Sequence, residues 1–339
     1  MIEHSVCRAA NFHPEPAPRG ALSALDRAAM ALSKLSGDET GIVFLQLCNP
    51  LDPRVALGLS GVSHGLWATT QAMRQQLRAD HEAAAALCRK VGMHSCKELR
   101  EAKMFMWIVK LSPDDLALLG RLGSVLPALE KLDLINYISG GPEAVQRLAV
   151  GLGAGALPAV TTFKLTGMRG GDAGASALAT ALGRGALQRL NILCLSNAGF
   201  GDAGLVALAP ALQRLPELEK IDFRSNSFGD KGLAALLAPP PPPPAGAPVM
   251  NGVLAKLKEL RLAYTQVSDT GCVALAAALD SGVLPSLREV NLQGAPASIP
   301  AKVAVHSVAL KSRAPFYIDA TLYTSTGMES DSESEEDED

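Results

Sequence analysis

The stretch Leu187–Leu237 reads LQRLNILCLSNAGFGDAGLVALAPALQR and then LPELEKIDFRSNSFGDKGLAALL. It is one pattern written twice. Leu187, Leu190, Leu193 and Leu195 occupy the places that Leu215, Leu218, Ile221 and Phe223 occupy in the second half. Phe200-Gly201-Asp202 then matches Phe228-Gly229-Asp230, and Gly204 matches Gly232. A fixed period of this kind identifies a stack of small units, none of which can bury its own apolar face.

Working outward, further units begin at Leu126, Leu157, Leu254 and Leu284. Each reads L-x-x-L-x-x-L-x-L, then a turn centred on Gly-Asp, then an Ala-Leu-rich helix. Alternating faces along a strand send Leu193 and Leu195 inward and Cys194 outward. Asp172, Asp202, Asp230 and Asp269 stand at the turns, where an aspartate is expected to cap the helix that follows. The run Glu98–Gly123 reads as a degenerate unit, with a strand over Ala102–Val109 and a helix opened by Ser112 and Pro113. The unit starting at Leu215 is lengthened by Pro239–Pro244, six prolines suited to an extended spacer. A helix over Ser298–Lys311 and a strand over Pro315–Thr321 are expected to close the array.

These repeats resemble the ribonuclease-inhibitor-like leucine-rich repeats over about Glu98–Thr321. The resemblance implies an α/β solenoid: a horseshoe with parallel strands on the concave face and helices outside. The asparagine usual in that family, three residues after the second strand leucine, is present only as Asn226. The outward strand positions then form columns across the concave face. The candidate partner-binding residues are Lys131, Asp133, Lys164, Lys220, Asp222, Arg224, Glu259, Arg261, Glu289 and Asn291. Their signs alternate, which suits a protein client of mixed charge and not a nucleic acid.

A small all-α module precedes the array. Domain boundaries are expected at 1–20 for a loose arm, 21–96 for the helical module and 97–323 for the repeats, with a proline insertion at 239–248 and an acidic tail at 324–339. Within the module a helix is expected over Ala21–Leu35, short helices broken at Asn49-Pro50 and Asp52-Pro53, and a long helix over Gln71–Val91. The order F-x-x-L, L-D-P, L-S-x-V-S over about 30 residues resembles an F-box. That resemblance implies docking of a Skp-type adaptor of cullin ubiquitin ligases through Phe44, Leu47, Leu51, Leu59 and Val62 as exposed apolar side chains. The family's Leu-Pro opening is absent, and Trp67 lies one residue past its usual tryptophan slot.

Aromatics make up only 4% of the chain, so the core must be built from Leu, Ala and Val. The net charge of −3 conceals an asymmetry. The tail ESDSESEEDED, residues 329–339, carries eight carboxylates, which leaves the preceding chain at about +5. That modest excess is no nucleic-acid footprint. Ser330, Ser332 and Ser334 each have a carboxylate three residues on and are candidate phosphorylation sites. Six dispersed cysteines and the lack of a leader pattern or membrane-length apolar run point to a reduced, cytoplasmic or nuclear protein. His81, Cys88, His94 and Cys96 fit no common zinc framework, so no metal is expected. No nucleophile elbow, phosphate loop or zinc-protease motif is present, so neither an enzyme nor a cofactor is expected. An alternative class is the Ran GTPase-activating proteins, which share the repeat type and an acidic C-terminal tract. Arg169 is then the nearest analogue of their arginine.

Overall fold

The computed structural model describes residues 36–60, 64–107, 111–135, 141–238 and 254–311. The helix expected over Ala21–Leu35, the proline run, the strand expected over Pro315–Thr321 and the acidic tail lie outside the described residues.

The chain divides into two compact units, one of Met1–Asn49 with Pro53–Arg78, the other of Pro50–Asp52 with Ala79–Asp339. The first holds α1 (Gly37–Leu47), α2 (Arg54–Ser60), α3 (His64–Thr69) and the start of α4 (Gln71–Lys90), with Pro50 and Pro53 between α1 and α2. Ser36 and Glu39 open α1 with a reciprocal pair: the Ser36 N–H donates to Glu39 Oε2 at 2.9 Å, and the Glu39 N–H to Ser36 Oγ at 3.3 Å. The small core here is Phe44, Ala56 and Leu77, with Leu47, Leu57 and Met73 packed on it.

The second unit is the array. After α5 (Cys96–Glu101) come β1 (Met104–Trp107), α6 (Pro113–Leu122), β2 (Lys131–Ile135), α7 (Gly141–Gly151), β3 (Thr162–Thr166) and α8 (Gly171–Gly183). Then follow β4 (Ile192–Cys194), α9 (Asp202–Leu212), β5 (Lys220–Asp222), α10 (Asp230–Leu237), β6 (Glu259–Arg261), α11 (Asp269–Asp280), β7 (Glu289–Asn291) and α12 (Ile299–Lys311). The seven strands form one sheet in chain order, every neighbouring pair parallel. Parallel neighbours require a crossover, and here each crossover carries the helix of its own repeat. The degenerate unit is a full member, since β1 pairs with β2 over four residues. Its α6 begins as expected, with Ser112 and Asp115 forming a reciprocal capping box and Pro113 in the first turn.

The repeat leucines fill one continuous core between sheet and helices, from Leu51 and Leu87 to Val305. The second half of α4 therefore packs with the array, through Ala84, Leu87 and Cys88. Three phenylalanines bind two repeats together. Phe200 stacks on Phe228 at 5.6 Å, and Phe223 meets their edges at 5.3 and 6.1 Å.

The turn aspartates depart from the expectation that each caps its own helix. The N–H groups of Gly201 and Gly204 donate to Asp172 Oδ1 at 2.7 and 2.9 Å. Those of Gly229 and Gly232 donate to Asp202 Oδ1, both at 2.8 Å. Those of Ser268 and Gly271 donate to Asp230 Oδ1 at 2.8 and 3.0 Å, and Ser298 N–H donates to Asp269 at 2.5 Å. Each aspartate thus caps the helix of the next repeat. The reason is steric as well as electrostatic. For Asp172, Asp202 and Asp230 the repeat spacing brings the following helix's orphan N–H groups to the carboxylate, and Gly204, Gly232 and Gly271, three residues beyond that helix's cap, leave room for it. Asp269 instead holds Ser298, whose hydroxyl accepts from Ala301 N–H. A Cβ on Gly204 would lie 2.7 Å from Asp172 Oδ1, and one on Gly232 would lie 2.8 Å from Asp202 Oδ1.

The corner asparagine performs the other inter-repeat lock. Asn226, 4% exposed, accepts from Ala198 and Gly199 N–H at 3.1 and 2.9 Å. Its amide donates to the carbonyls of Leu195, Phe223 and Arg224 at 2.8, 2.9 and 3.3 Å. In the next repeat Thr265 supplies a weaker version, donating to Leu262 O at 2.7 Å.

Candidate functional site: the open face of the sheet

Inward strand residues such as Leu132, Leu134, Phe163 and Leu260 are buried against helices, so the alternate residues form the open face. The register makes the columns explicit. One runs Met104, Lys131, Thr162, Ile192, Lys220, Glu259, Glu289, and the next Met106, Asp133, Lys164, Cys194, Asp222, Arg261, Asn291. All ten partner-binding candidates are in these columns except Arg224, which follows β5. Sequence reading overlooked Met104 and Met106, both exposed, which carry the columns onto β1. Aligning Met104 with Lys131 would have found them.

The charges engage one another across the strands. Lys164 Nζ lies 3.3 Å from Asp133 Oδ2, and Lys220 Nζ 2.6 Å from Glu259. Arg261 binds Glu259 and reaches Glu289 at 3.9 Å. Arg224 grips Asp222 side-on, Nε to Oδ1 at 2.9 Å and Nη2 to Oδ2 at 2.7 Å. Asp222 is only 3% exposed. Burial works to raise its carboxyl, but the Arg224 hydrogen bonds, with the Arg224 and Arg261 charges, outweigh it and hold the group below the ordinary carboxylate value. The hydrogen bond to Asp222 raises Arg224 in turn. Cys194 faces the open side as expected, yet it is 7% exposed, because Thr166 and Ser196 close over its thiol at 3.8 and 3.4 Å. Among the described residues, Asp133 Oδ1 is a buried acceptor without a hydrogen-bond donor.

The helical unit differs from expectation in which side chains it offers. Phe44 is 2% and Leu51 5% exposed, because each is a core residue of its own unit, and Leu47 is half-buried against Phe44. Val62 and the side chain of Leu59 lie outside the described residues. Among the described residues of this unit, the large apolar side chains presented to solvent are Ile42, Val55 and Trp67.

Arg169 is exposed in the turn after β3, with a left-handed φ of 45°. His81 donates from Nδ1 to Pro50 O at 2.6 Å, so its ring secures the Pro50 turn. Cys88 is buried, and burial, with Cys96 beside it, pushes its thiol up to about 12. Cys272 is pushed up to about 11, again chiefly by burial. Among the described residues no group of three His, Cys, Asp or Glu side chains could hold a metal, and no helix is long and apolar enough to cross a membrane. Ser330, Ser332 and Ser334 lie outside the described residues.

Two stretches of the chain, 215–237 and 253–276, match a family model of the leucine-rich repeat. No curated protein matches the sequence. Among solved structures, the chain is similar to leiomodin-1 actin-binding site 2, at 13% identity over 60% of this chain and 91% of that one, with a TM-score of 0.34. It is similar to the C-terminal domain of Caenorhabditis elegans tropomodulin at 15% identity over 60% and 93%, TM-score 0.34. The yeast Rad7–Elc1 complex gives 14% identity over 72% and 84%, TM-score 0.28.

Proposed function

We propose that this leucine-rich repeat protein is a non-enzymatic interaction scaffold that holds a protein client across the open face of its sheet. The carrying observation is the interleaved charge of that face. Lys164, Asp133, Lys220, Glu259, Arg224 and Asp222 alternate in sign over neighbouring strands and neutralise one another in the plane of the sheet. Such a surface repels a polyanion and a polycation alike, and it is matched by a protein patch of mixed charge. Ion pairs across and along the strands hold these side chains in place for a partner.

The F-box resemblance of the helical unit extends this reading to a substrate receptor, joined through a Skp-type adaptor to a cullin ubiquitin ligase. The test is affinity capture with three forms of the full chain. A client that binds the wild type and the exposed helix-side variant Arg214→Glu, but is lost with Lys164→Glu/Arg224→Glu, supports the open-face reading. Equal recovery from all three rejects it. For the adaptor, direct binding to a purified Skp-type protein is measured with Val55→Glu as the disrupting variant. Leu51→Asp is unsuitable, since it would bury a carboxylate in the core of the array.

A further inference from the structure

The charged pairs of the open face are already matched, Lys164 with Asp133, Lys220 with Glu259 and Arg224 with Asp222. A client that engages them exchanges one partner for another, which discriminates between clients and adds little net affinity. The end of the face at β1 is built differently. β1 stands at the edge of the sheet, and its outward residues Met104 and Met106 are 51% and 57% exposed. Phe105 between them is buried, so the alternation of faces keeps both thioethers on the open side, about 6.5 Å apart at the backbone. The parallel register then sets Met104 beside Lys131 and Met106 beside Asp133. Edge strands are usually blunted by charge or proline, and here the exposed positions are apolar.

The charge around the two methionines can be followed group by group. Lys103 lies 3.4 Å from Glu130, Glu101 4.0 Å from Lys97, and Asp133 3.3 Å from Lys164. Lys131, exposed beside Met104, is in no ion pair or side-chain hydrogen bond among the described residues. It is therefore the described charge of this patch that has no opposite partner. Asp133 offers no matching seat for a base, since Lys164 neutralises it and its unbonded Oδ1 is buried. A free lysine beside flexible apolar side chains that mould to many shapes suits an apolar group with a carboxylate next to it.

We infer that Met104, Met106 and Lys131 form the anchor of the open face, which receives a client segment bearing aliphatic or aromatic side chains next to an aspartate or glutamate. The client's apolar groups cover the thioethers, and its carboxylate pairs with Lys131. A segment with a base in that place meets repulsion from Lys131. The inference rests on the open-face reading and adds to it where the affinity arises and what chemistry the client presents.

The test selects a random linear-peptide display library on the full chain and measures the recovered peptides, synthesised and labelled, by fluorescence polarisation. They are expected to share Leu, Ile, Phe or Met at two nearby positions with Asp or Glu beside them. Binding should fall at least tenfold with Met104→Thr/Met106→Thr and at least fivefold with Lys131→Glu, and stay unchanged with Arg214→Glu on the helix side. Lys131→Glu should in turn prefer the same peptides with lysine in place of the acid. Threonine suits an exposed strand, and wild-type circular dichroism confirms that each variant is folded; Lys131→Glu carries the test should the methionine variant unfold. Recovery of basic peptides, recovery of none, or equal binding by wild type and the methionine variant overturns the inference. So does a dimer in sedimentation that the methionine change dissolves, since the occupant is then a second copy of the chain. Peptides indifferent to the methionines but lost with Lys164→Glu/Arg224→Glu leave the open-face reading standing and refute this anchor. Peptides indifferent to every open-face change overturn both.

Discussion

Asp202 and Gly232 belong to successive repeats, and the structure makes them depend on each other. Asp202→Ala removes the acceptor for the Gly229 and Gly232 N–H groups and leaves the start of α10 uncapped. Two charge-assisted bonds at a partly buried helix terminus, offset by water that can reach the freed groups, amount to about 2 kcal/mol. Gly232→Ala, with Asp202 kept, places a Cβ 2.8 Å from Oδ1 and 3.2 Å from Leu205 Cβ. The carboxylate must move, so most of the same rung is lost, and the about 1 kcal/mol gain in helix propensity only partly compensates. We therefore expect Gly232→Ala to cost about 1 kcal/mol alone. In the Asp202→Ala background the obstructing oxygen is gone and the propensity gain shows, so there the same change should cost nothing or stabilise slightly. The double mutant should be about 1–2 kcal/mol more stable than the sum of the singles requires. Urea unfolding followed by circular dichroism gives the four stabilities, and hydrogen exchange at Gly229 and Gly232 localises the effect. Additive costs within about 0.5 kcal/mol, the usual scatter for independent sites, would show that the glycine is not there to admit the previous repeat's carboxylate.

Asn226→Ala strands the N–H of buried Ala198 and frees that of Gly199, and it removes a side-chain donor from the carbonyls of Leu195, Phe223 and Arg224, the last of which still accepts from Asn197 N–H. It should destabilise by about 3–4 kcal/mol, against about 1 for Thr265→Ala, and comparable urea midpoints for the two would refute the lock. The folded Asp222 carboxyl titrates below its unfolded value. Its stabilising effect is therefore complete above about pH 4 and is lost as the pH falls through the folded value. The stability gap between wild type and Asp222→Asn should accordingly close on acidification from pH 5 to 2.5, and a pH-independent gap would count against the Arg224 pairing. Burial raises Cys88 and Cys272, so mass-spectrometric mapping after iodoacetamide at pH 8 should find both unmodified in the native chain and modified in urea. Rapid native labelling at either would contradict their burial.

The period alone determined the architecture. Leucines at L-x-x-L-x-x-L-x-L cannot be buried by one unit, so parallel stacking and the two-residue alternation of faces follow from the pattern. The column through Asp133, Lys164, Asp222 and Arg261 therefore follows from the repeat register alone. β1 was legible for the same reason, although Met104 and Met106 were not carried onto the open face. What the pattern could not show is which neighbour a polar group serves. Asp202 looks like the cap of its own helix, because local sequence reports only local partners, whereas the repeat translation delivers it to Gly229 and Gly232 of the next. Burial in the helical unit was undecidable for a similar reason. Phe44 and Val55 are both apolar residues in short helices, and only the packing of α1 with α2 and α4 puts the first inside and leaves the second in water.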